Sequence, residues 1–368
     1  MVKRVNAKFD TNVPYYIPCN FPFIHENLKL IGYKSRMSLL LAAGMNGIPY
    51  FVRQISTNSI KLNFFEPEYL GYKPLAEYIG IVCDEVEFEN FSVGIEHIGQ
   101  ILDKNRMPIV FGTPYHLPYS DNYHKSDFSE TYGKELGLYD HAIGVCELDR
   151  DSVTVYDTTP IFCCKKVDID DFCKFWHGNK YIRGFEKLSE RVPLFEYGCM
   201  TVNAKEKKNK KEVNLLIERG LRTVASEYLL GRQFVHGDLL CSYGYQSLNL
   251  FIDDIKDFYN SQYIKERMRM VFEMRFTRYF MRDILKDMSE NAENTAFFLK
   301  YHKEFIEIVS RVEAIGNFAI ALAERQTADR ARIDAICVEL KKIQHMEQRF
   351  YDNYLKDGAK LELLERIH

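Results

Sequence analysis

Hydrophobic and polar residues follow different periods in the two halves of the chain. Near the start, Phe21, Ile24 and Leu28 recur at helical spacing, and Gly32 follows as a C-terminal cap. Further apolar residues at three- and four-residue steps predict another helix over 92–104. Both helices lie in a region rich in Gly and Pro turns, so a mixed α and β domain is expected there.

A period of two appears further along the same half. Apolar and small residues alternate over 141–146, and a second alternating run covers 153–157. The polar turn at 149–151 lies between them, which predicts a β-hairpin. In such a hairpin, His141 begins the first strand and Asp157 ends the second, so both side chains lie at the same end.

Almost every segment after residue 211 has helical periodicity. The predicted helices lie at about 211–229, 244–259, 262–288, 293–324 and 328–356. A charged run over 203–211 precedes them and is the predicted boundary. We therefore predict an α+β domain at 1–203 and an all-helical domain at 204–368.

Composition narrows the classes of protein. The chain has 368 residues, 46% hydrophobic and 27% charged, which is typical of a globular protein of about two domains. Its net charge of -3 gives no global bias toward nucleic acid or anionic membrane, so neither is an expected partner. The best apolar run, from Met37 to Met45, is too short to span a bilayer.

The cysteines indicate a reducing compartment. There are nine, an odd and dispersed number, and no pair has C-x-x-C spacing. No apolar signal segment opens the chain, so a cytoplasmic location is expected.

Three residues have the local context of a thiol acyl-transfer site. Cys19 directly precedes the first predicted helix, whose N–H groups and dipole are expected to lower the pKa of the thiol. His141 can accept the thiol proton, and Asp157 can hold the imidazole in one tautomer. The alternative is ordinary: a small core cysteine, a structural histidine and a turn aspartate. Residue types alone leave both interpretations open.

Several short segments resemble the family of butirosin biosynthesis protein H. They are Cys19-Asn20-Phe21-Pro22 with the helix that it opens, Gly44 to Phe51, Met107 to Val110, Leu117 to Ser120, Val155 to Asp157, Tyr243 to Leu248 and Met274 to Phe280. Together with the His141 strand they are spread over most of the length of the chain, although each motif is short. The acidic Asp140 before His141 departs from the family pattern.

The resemblance implies a papain-like N-terminal domain followed by a helical domain. It implies acyl transfer from an acyl carrier protein to a small-molecule amine, in natural-product or antibiotic biosynthesis. By this resemblance Cys19 is the nucleophile, His141 the base and Asp157 the orienting group. No bound cofactor is expected, because the phosphopantetheine arm arrives on the carrier protein. The helical domain would shape the acceptor pocket or dock the carrier.

Other residues are candidates for binding. Papain-like enzymes add a side-chain amide to the Cys19 backbone N–H in the oxyanion hole, and Asn12 is the upstream amide nearest that spacing. Tyr115, Leu117 and Tyr119 lie in a Pro- and Tyr-rich loop that is expected to form a lid or acyl-pocket wall. The alternatives are a loop or cap residue for Asn12 and ordinary packing for the other three.

Arg275, Arg278 and Arg282 fall on one face of a predicted helix. A basic face suits an acidic carrier protein. A solvated or salt-bridged face explains the same spacing.

Two further signals point away from other chemistries. His116 and His124 flank the loop, but their spacing is loose, so no metal site is predicted. Nucleotide-binding glycine motifs and a G-x-S-x-G elbow are missing, and the sequence at 236–238 is typical of a turn.

Three hypotheses therefore stand. The favoured one is a cytoplasmic, cysteine-dependent acyltransferase that forms amides from a carrier-protein thioester. The second is a cysteine peptidase or amidase with the same triad, and the third is a non-catalytic binding protein. The sequence leaves open the acyl group, the amine, the pathway and the oligomeric state, a homodimer being one possibility.

Overall fold

A computed structural model describes most of the chain. The described residues are 2–10, 12–62, 72–124, 141–158, 163–177, 197–259, 263–325 and 329–367. They belong to two compact units. The first consists of Met1–Met37 and Gly80–Asn209, and the second of Ser38–Ile79 and Lys210–His368.

The helices and strands follow in chain order. The strands are β1 (Lys3–Arg4), β2 (Tyr50–Gln54), β3 (Ile60–Leu62), β4 (Ile81–Val86), β5 (Ile109–Gly112), β6 (His141–Leu148), β7 (Ser152–Asp157), β8 (Cys163–Asp168), β9 (Cys199–Ala204), β10 (Arg232–His236) and β11 (Leu239–Tyr243). The helices are α1 (Phe21–Leu30), α2 (Met37–Ala43), α3 (Tyr72–Ile79), α4 (Phe91–Asp103), α5 (Ile169–His177), α6 (Lys210–Leu230), α7 (Tyr245–Asp257), α8 (Ile264–Glu273), α9 (Arg275–Asn291), α10 (Thr295–Arg325) and α11 (Arg330–Ile367).

An antiparallel sheet organises the first unit. Its strand order is β4-β9-β5-β6-β7-β8, and β1 pairs with β6. The predicted hairpin is confirmed as β6 and β7, with a bulge between Val145 and Glu147. The α+β class predicted from the sequence is likewise confirmed.

Helix α1 is fixed firmly to this unit. Its apolar side chains are buried, and a proline occupies its first turn, where no N–H partner is lost. Gly32, at φ +82°, ends the helix as predicted. The buried Asn27 side chain donates to the Met107 carbonyl at 2.9 Å and accepts from the Met107 N–H at 3.1 Å. These bonds tie α1 to the segment that leads into β5.

The second unit combines long helices with a small antiparallel sheet. The sheet order is β10-β11-β2-β3. Residues 38–79, assigned to the first domain from the sequence, belong here because β2 pairs along its length with β11. The expectation that 204–368 is all helical is wrong at β10 and β11, and the helix predicted at 262–288 is two helices, α8 and α9.

The β10–β11 hairpin ends at a special backbone position. Gly244 has φ +63°, and a Cβ there would lie 2.4 Å from the Tyr228 carbonyl oxygen. Only glycine fits this conformation and this approach. The turn predicted at 236–238 is confirmed at the other end of the hairpin. Across the described part of the chain, no helix has the length and apolar character needed to cross a membrane.

Candidate active site

The hairpin of β6 and β7 brings a histidine and a carboxylate together. Gly144 of β6 pairs with Tyr156 of β7, and directly paired residues share one face of the sheet. Successive side chains of a strand point to opposite faces, so Asp157, one residue after Tyr156, lies on the other face of the sheet. His141 is three residues before Gly144, an odd number, and therefore lies on the same face as Asp157. The His141 Nε2 atom lies 2.8 Å from Asp157 Oδ2 and 3.0 Å from Oδ1.

This contact assigns roles to the two ring nitrogens. Asp157 is fully buried, while 13% of the His141 side chain is exposed. A buried carboxylate favours a donor on its partner, so Nε2 carries the proton that Asp157 accepts. Nδ1 is then the ring nitrogen that this contact leaves for proton transfer.

The position of His141 also depends on tight packing beneath it. His141 pairs with Gly112 at the end of β5. A Cβ on Gly112 would lie 2.0 Å from the Phe175 carbonyl oxygen, so no larger residue fits. That carbonyl accepts the Thr113 N–H at 3.0 Å. The start of β6 is therefore paired with a part of β5 whose backbone packs directly against the backbone of Phe175.

Cys19 lies beside the end of strand β7. The hydroxyl of the buried Thr158, the residue after Asp157, donates to the Cys19 carbonyl at 2.9 Å. Asn20 is the N-cap of α1, so Cys19 directly precedes the helix as predicted. The three proposed catalytic residues thus come from the start of β6, the end of β7 and the start of α1. Thr158 was not predicted, and only its position next to Asp157 hinted at it.

The charge state of the thiol differs from the sequence expectation. Burial of the sulfur and the nearby negative charge of Asp157 raise the pKa of the Cys19 thiol. Backbone N–H groups of Cys19 and Asn20 act in the opposite direction, but more weakly. The predicted lowering by the helix N-terminus is therefore outweighed. Cys19 is nevertheless accessible at the surface, so a reagent can reach it.

The loop candidates occupy different environments. The Tyr119 hydroxyl donates to Asp157 Oδ2 at 2.7 Å, which places this residue against the Asp157 carboxylate. Leu117 is fully buried and Tyr115 half-buried, the latter with its ring 5.0 Å from His116. Asn12 is exposed, and its backbone N–H donates to the Asp10 carboxylate at 2.8 Å. Neither contact brings Asn12 or Tyr115 to the thiol.

The proposed docking arginines do not form one exposed face. Arg278 is 2% exposed and makes a two-pronged ion pair with Glu347, at 2.7 and 3.0 Å. It is a core residue, so its assignment to carrier binding is wrong. Arg282 is 27% exposed and pairs with Asp283 at 2.8 Å, while the Arg275 guanidinium lies 3.3 Å from the centre of the Phe272 ring. The alternative of a salt-bridged face describes this helix better.

The two loop histidines, His116 and His124, lie next to each other. His116 is buried, and burial together with the neighbouring His124 lowers the pKa of its imidazole to about 4. The two rings lie 5.7 Å apart, edge to face. Among the described residues, no group of three or more His, Cys, Asp or Glu side chains is arranged to hold a metal ion. Asp140 lies outside the described residues.

Comparisons with known proteins do not identify a family for this chain. No protein-family model matches the chain, and no curated protein matches it either.

Proposed function

We propose that this protein is a cysteine-dependent acyltransferase with a papain-like catalytic unit. The observation that carries the proposal is the His141–Asp157 pair at 2.8 Å, beside a Cys19 backbone that Thr158 holds at the end of the same strand. A helix behind the nucleophile and an antiparallel sheet that presents the base are what a papain-like site requires.

The raised pKa of Cys19 defines how the first step would proceed. The resting thiol keeps its proton, so His141 Nδ1 would take it as Sγ attacks the carbonyl carbon of a thioester. The C–S bond to the donor breaks, and the departing thiolate takes the proton from the imidazolium. The products of this step are acyl-Cys19 and the free thiol of the donor.

The second step would regenerate the enzyme. An amine attacks the acyl-Cys19 carbonyl, His141 removes a proton from its nitrogen, and Cys19 leaves as a thiolate that is reprotonated. The product is an amide. A thioester donor suits this site because donor and enzyme sulfurs are similar leaving groups, so acyl exchange needs little acid assistance. We propose a phosphopantetheine thioester on an acyl carrier protein as donor, a small-molecule amine as acceptor, and natural-product biosynthesis as the setting.

The proposed compartment is the cytoplasm. The eight cysteines whose side chains are described are all free thiols, as expected of a protein kept in a reducing environment.

The first test is acylation of the intact protein. The protein would be incubated with a pantetheine-linked acyl thioester, and its mass compared with that of Cys19→Ala. Cys164 is an exposed thiol, and a hydrogen bond from Cys146 lowers its pKa to about 7. The thioester can therefore acylate Cys164 without catalysis by the protein. Cys164→Ser is therefore the matched control.

The outcomes separate the candidate functions. Acyltransfer predicts a gain of one acyl mass in Cys164→Ser that is lost when Cys19→Ala is added to it. The acyl group should be discharged faster by amine than by water. Discharge by water at the same rate, amine present or absent, would identify a hydrolase. Absence of an adduct on Cys19 with several thioesters would refute both enzymes and leave a binding protein.

A further inference from the structure

A buried carboxylate must be held by donors, and one of the donors to Asp157 is not part of the triad. Asp157 is fully buried, and a charge in that position is stable only when hydrogen bonds replace its water. The Tyr119 hydroxyl donates to Oδ2 at 2.7 Å, and His141 Nε2 lies 2.8 Å from the same oxygen. The two donors therefore share one carboxylate oxygen.

We propose that Tyr119 is a positioning residue that acts on His141 through Asp157. The terminal torsion of an aspartate has a broad energy well, so the backbone alone does not fix the plane of the carboxylate. A hydroxyl bonded to Oδ2 fixes that plane. The imidazole, bonded to both oxygens, is then fixed in turn, with Nδ1 left for the thiol proton.

The segment that carries Tyr119 is built to hold it in place. A 3₁₀ turn at Pro114–His116 is capped by the Thr113 hydroxyl, which accepts the Tyr115 N–H. Leu117, directly after the turn, is fully buried and accepts the Ser120 N–H at 2.9 Å. Tyr119 thus lies between two anchored residues rather than at a free loop tip.

The hydroxyl also affects the electrostatics of the pair. A donor to the carboxylate takes up part of its negative charge, and so reduces the charge that faces the imidazole. Removing the hydroxyl should strengthen the pull of Asp157 on the Nε2 proton while loosening the geometry. A tyrosine that merely filled space would have neither effect.

The test is Tyr119→Phe, with Tyr123→Phe as the matched control because Tyr123 lies exposed in the same loop, stacked on His124. The readout is the downfield proton resonance of the His141 Nε2–H, assigned by its loss in His141→Ala. We expect the resonance to move and its exchange with water to accelerate in Tyr119→Phe only. An unchanged resonance in Tyr119→Phe would overturn the proposal.

The kinetic part of this inference rests on the proposed function. Loss of a hydrogen bond to a charged group corresponds to about a tenfold fall in the rate of Cys19 acylation by the thioester. In an Asp157→Asn background the same substitution should have little further effect, because Tyr119 acts through the carboxylate. A moved resonance without acylation in any variant would refute the acyltransferase and leave the positioning role standing. A full tenfold effect in the Asp157→Asn background would refute the positioning role.

Discussion

The buried ion pair between Arg278 and Glu347 leads to a quantitative prediction about stability. Both side chains are 2% exposed. The guanidinium donates to both carboxylate oxygens, at 2.7 and 3.0 Å, and to the Met274 carbonyl at 3.0 Å. Tyr228 donates a further hydrogen bond to Glu347 at 3.0 Å. Arg278→Met would remove the positive partner and leave the carboxylate buried with the tyrosine hydroxyl.

The cost follows from this uncompensated charge. Removing one partner of a buried pair destabilises a protein by about 3–5 kcal/mol. A typical domain has a stability of about 5–15 kcal/mol, so this single change would consume a large part of it. Arg282→Met is the matched control, because that arginine is 27% exposed and its surface pair with Asp283 contributes at most about 1 kcal/mol.

A double variant separates the charge effect from packing. Arg278→Met with Glu347→Gln leaves no buried charge, and the amide oxygen still accepts from Tyr228. We expect it to be more stable than Arg278→Met alone, with a coupling free energy of about 1–3 kcal/mol.

The assay is equilibrium unfolding in urea with two probes. Circular dichroism reports mainly on the helices, most of which belong to the second unit. Fluorescence of Trp176, the single tryptophan, reports on the first unit, where it is fully buried. The dichroism transition should move to lower urea in Arg278→Met and remain nearly unchanged in Arg282→Met. Equal, small shifts for the two variants would refute the reasoning.

Three further predictions concern the candidate site. At about pH 7, peptide-resolved alkylation should modify Cys164 before Cys19, because Cys164 has a pKa of about 7 while the raised pKa of Cys19 keeps its thiol protonated. The alkylation rate at Cys19 should rise steeply only at alkaline pH. Alkylation of Cys19 before Cys164 would contradict these pKa directions. Thr158→Val should slow Cys19 acylation about fivefold, which is the effect of losing one hydrogen bond of about 1 kcal/mol. Thr158→Ser keeps the hydroxyl and should retain the acylation rate. Equal rates in the two variants would exclude a role for this hydrogen bond. Asp157→Asn should lower the pKa of the Cys19 thiol and speed its alkylation at fixed pH. It should nevertheless slow acylation by about 10²- to 10⁴-fold, the usual contribution of general acid–base catalysis, because the imidazolium loses its counter-charge. A parallel fall in both rates would contradict the opposing effects assigned to Asp157.

Local periodicity was enough to predict the part of the site that lies on one hairpin. Alternation over 141–146 and 153–157 fixes which side chains share a face, and a short turn fixes the register. His141 and Asp157 could therefore be paired from the sequence. The first helix and its glycine cap were predictable for the same reason, since their signals lie within a dozen residues.

Contacts between distant segments were not predictable in this way. The partner of Arg278 is Glu347, 69 residues later, and the spacing of the arginines is the same whether the helix face is buried or exposed. The pairing of β2 with β11 joins segments nearly 190 residues apart, so residues 38–79 could not be assigned to the second unit. Tyr119 and Asp157 are 38 residues apart, and a tyrosine in a loop has no sequence pattern that identifies its partner.

The Cys19 thiol shows why an argument from the local sequence can predict the wrong direction of a pKa shift. From the sequence, the helix N-terminus is the only visible influence on Cys19, and it favours the thiolate. In the folded chain the strongest influences are burial and the charge of Asp157, and both favour the neutral thiol. The same carboxylate accepts the Nε2 proton of His141, so one buried group holds the imidazole by a hydrogen bond and also disfavours the thiolate. A cysteine that is protonated at rest should react slowly with simple electrophiles at neutral pH, and the order in which Cys164 and Cys19 are alkylated tests this consequence.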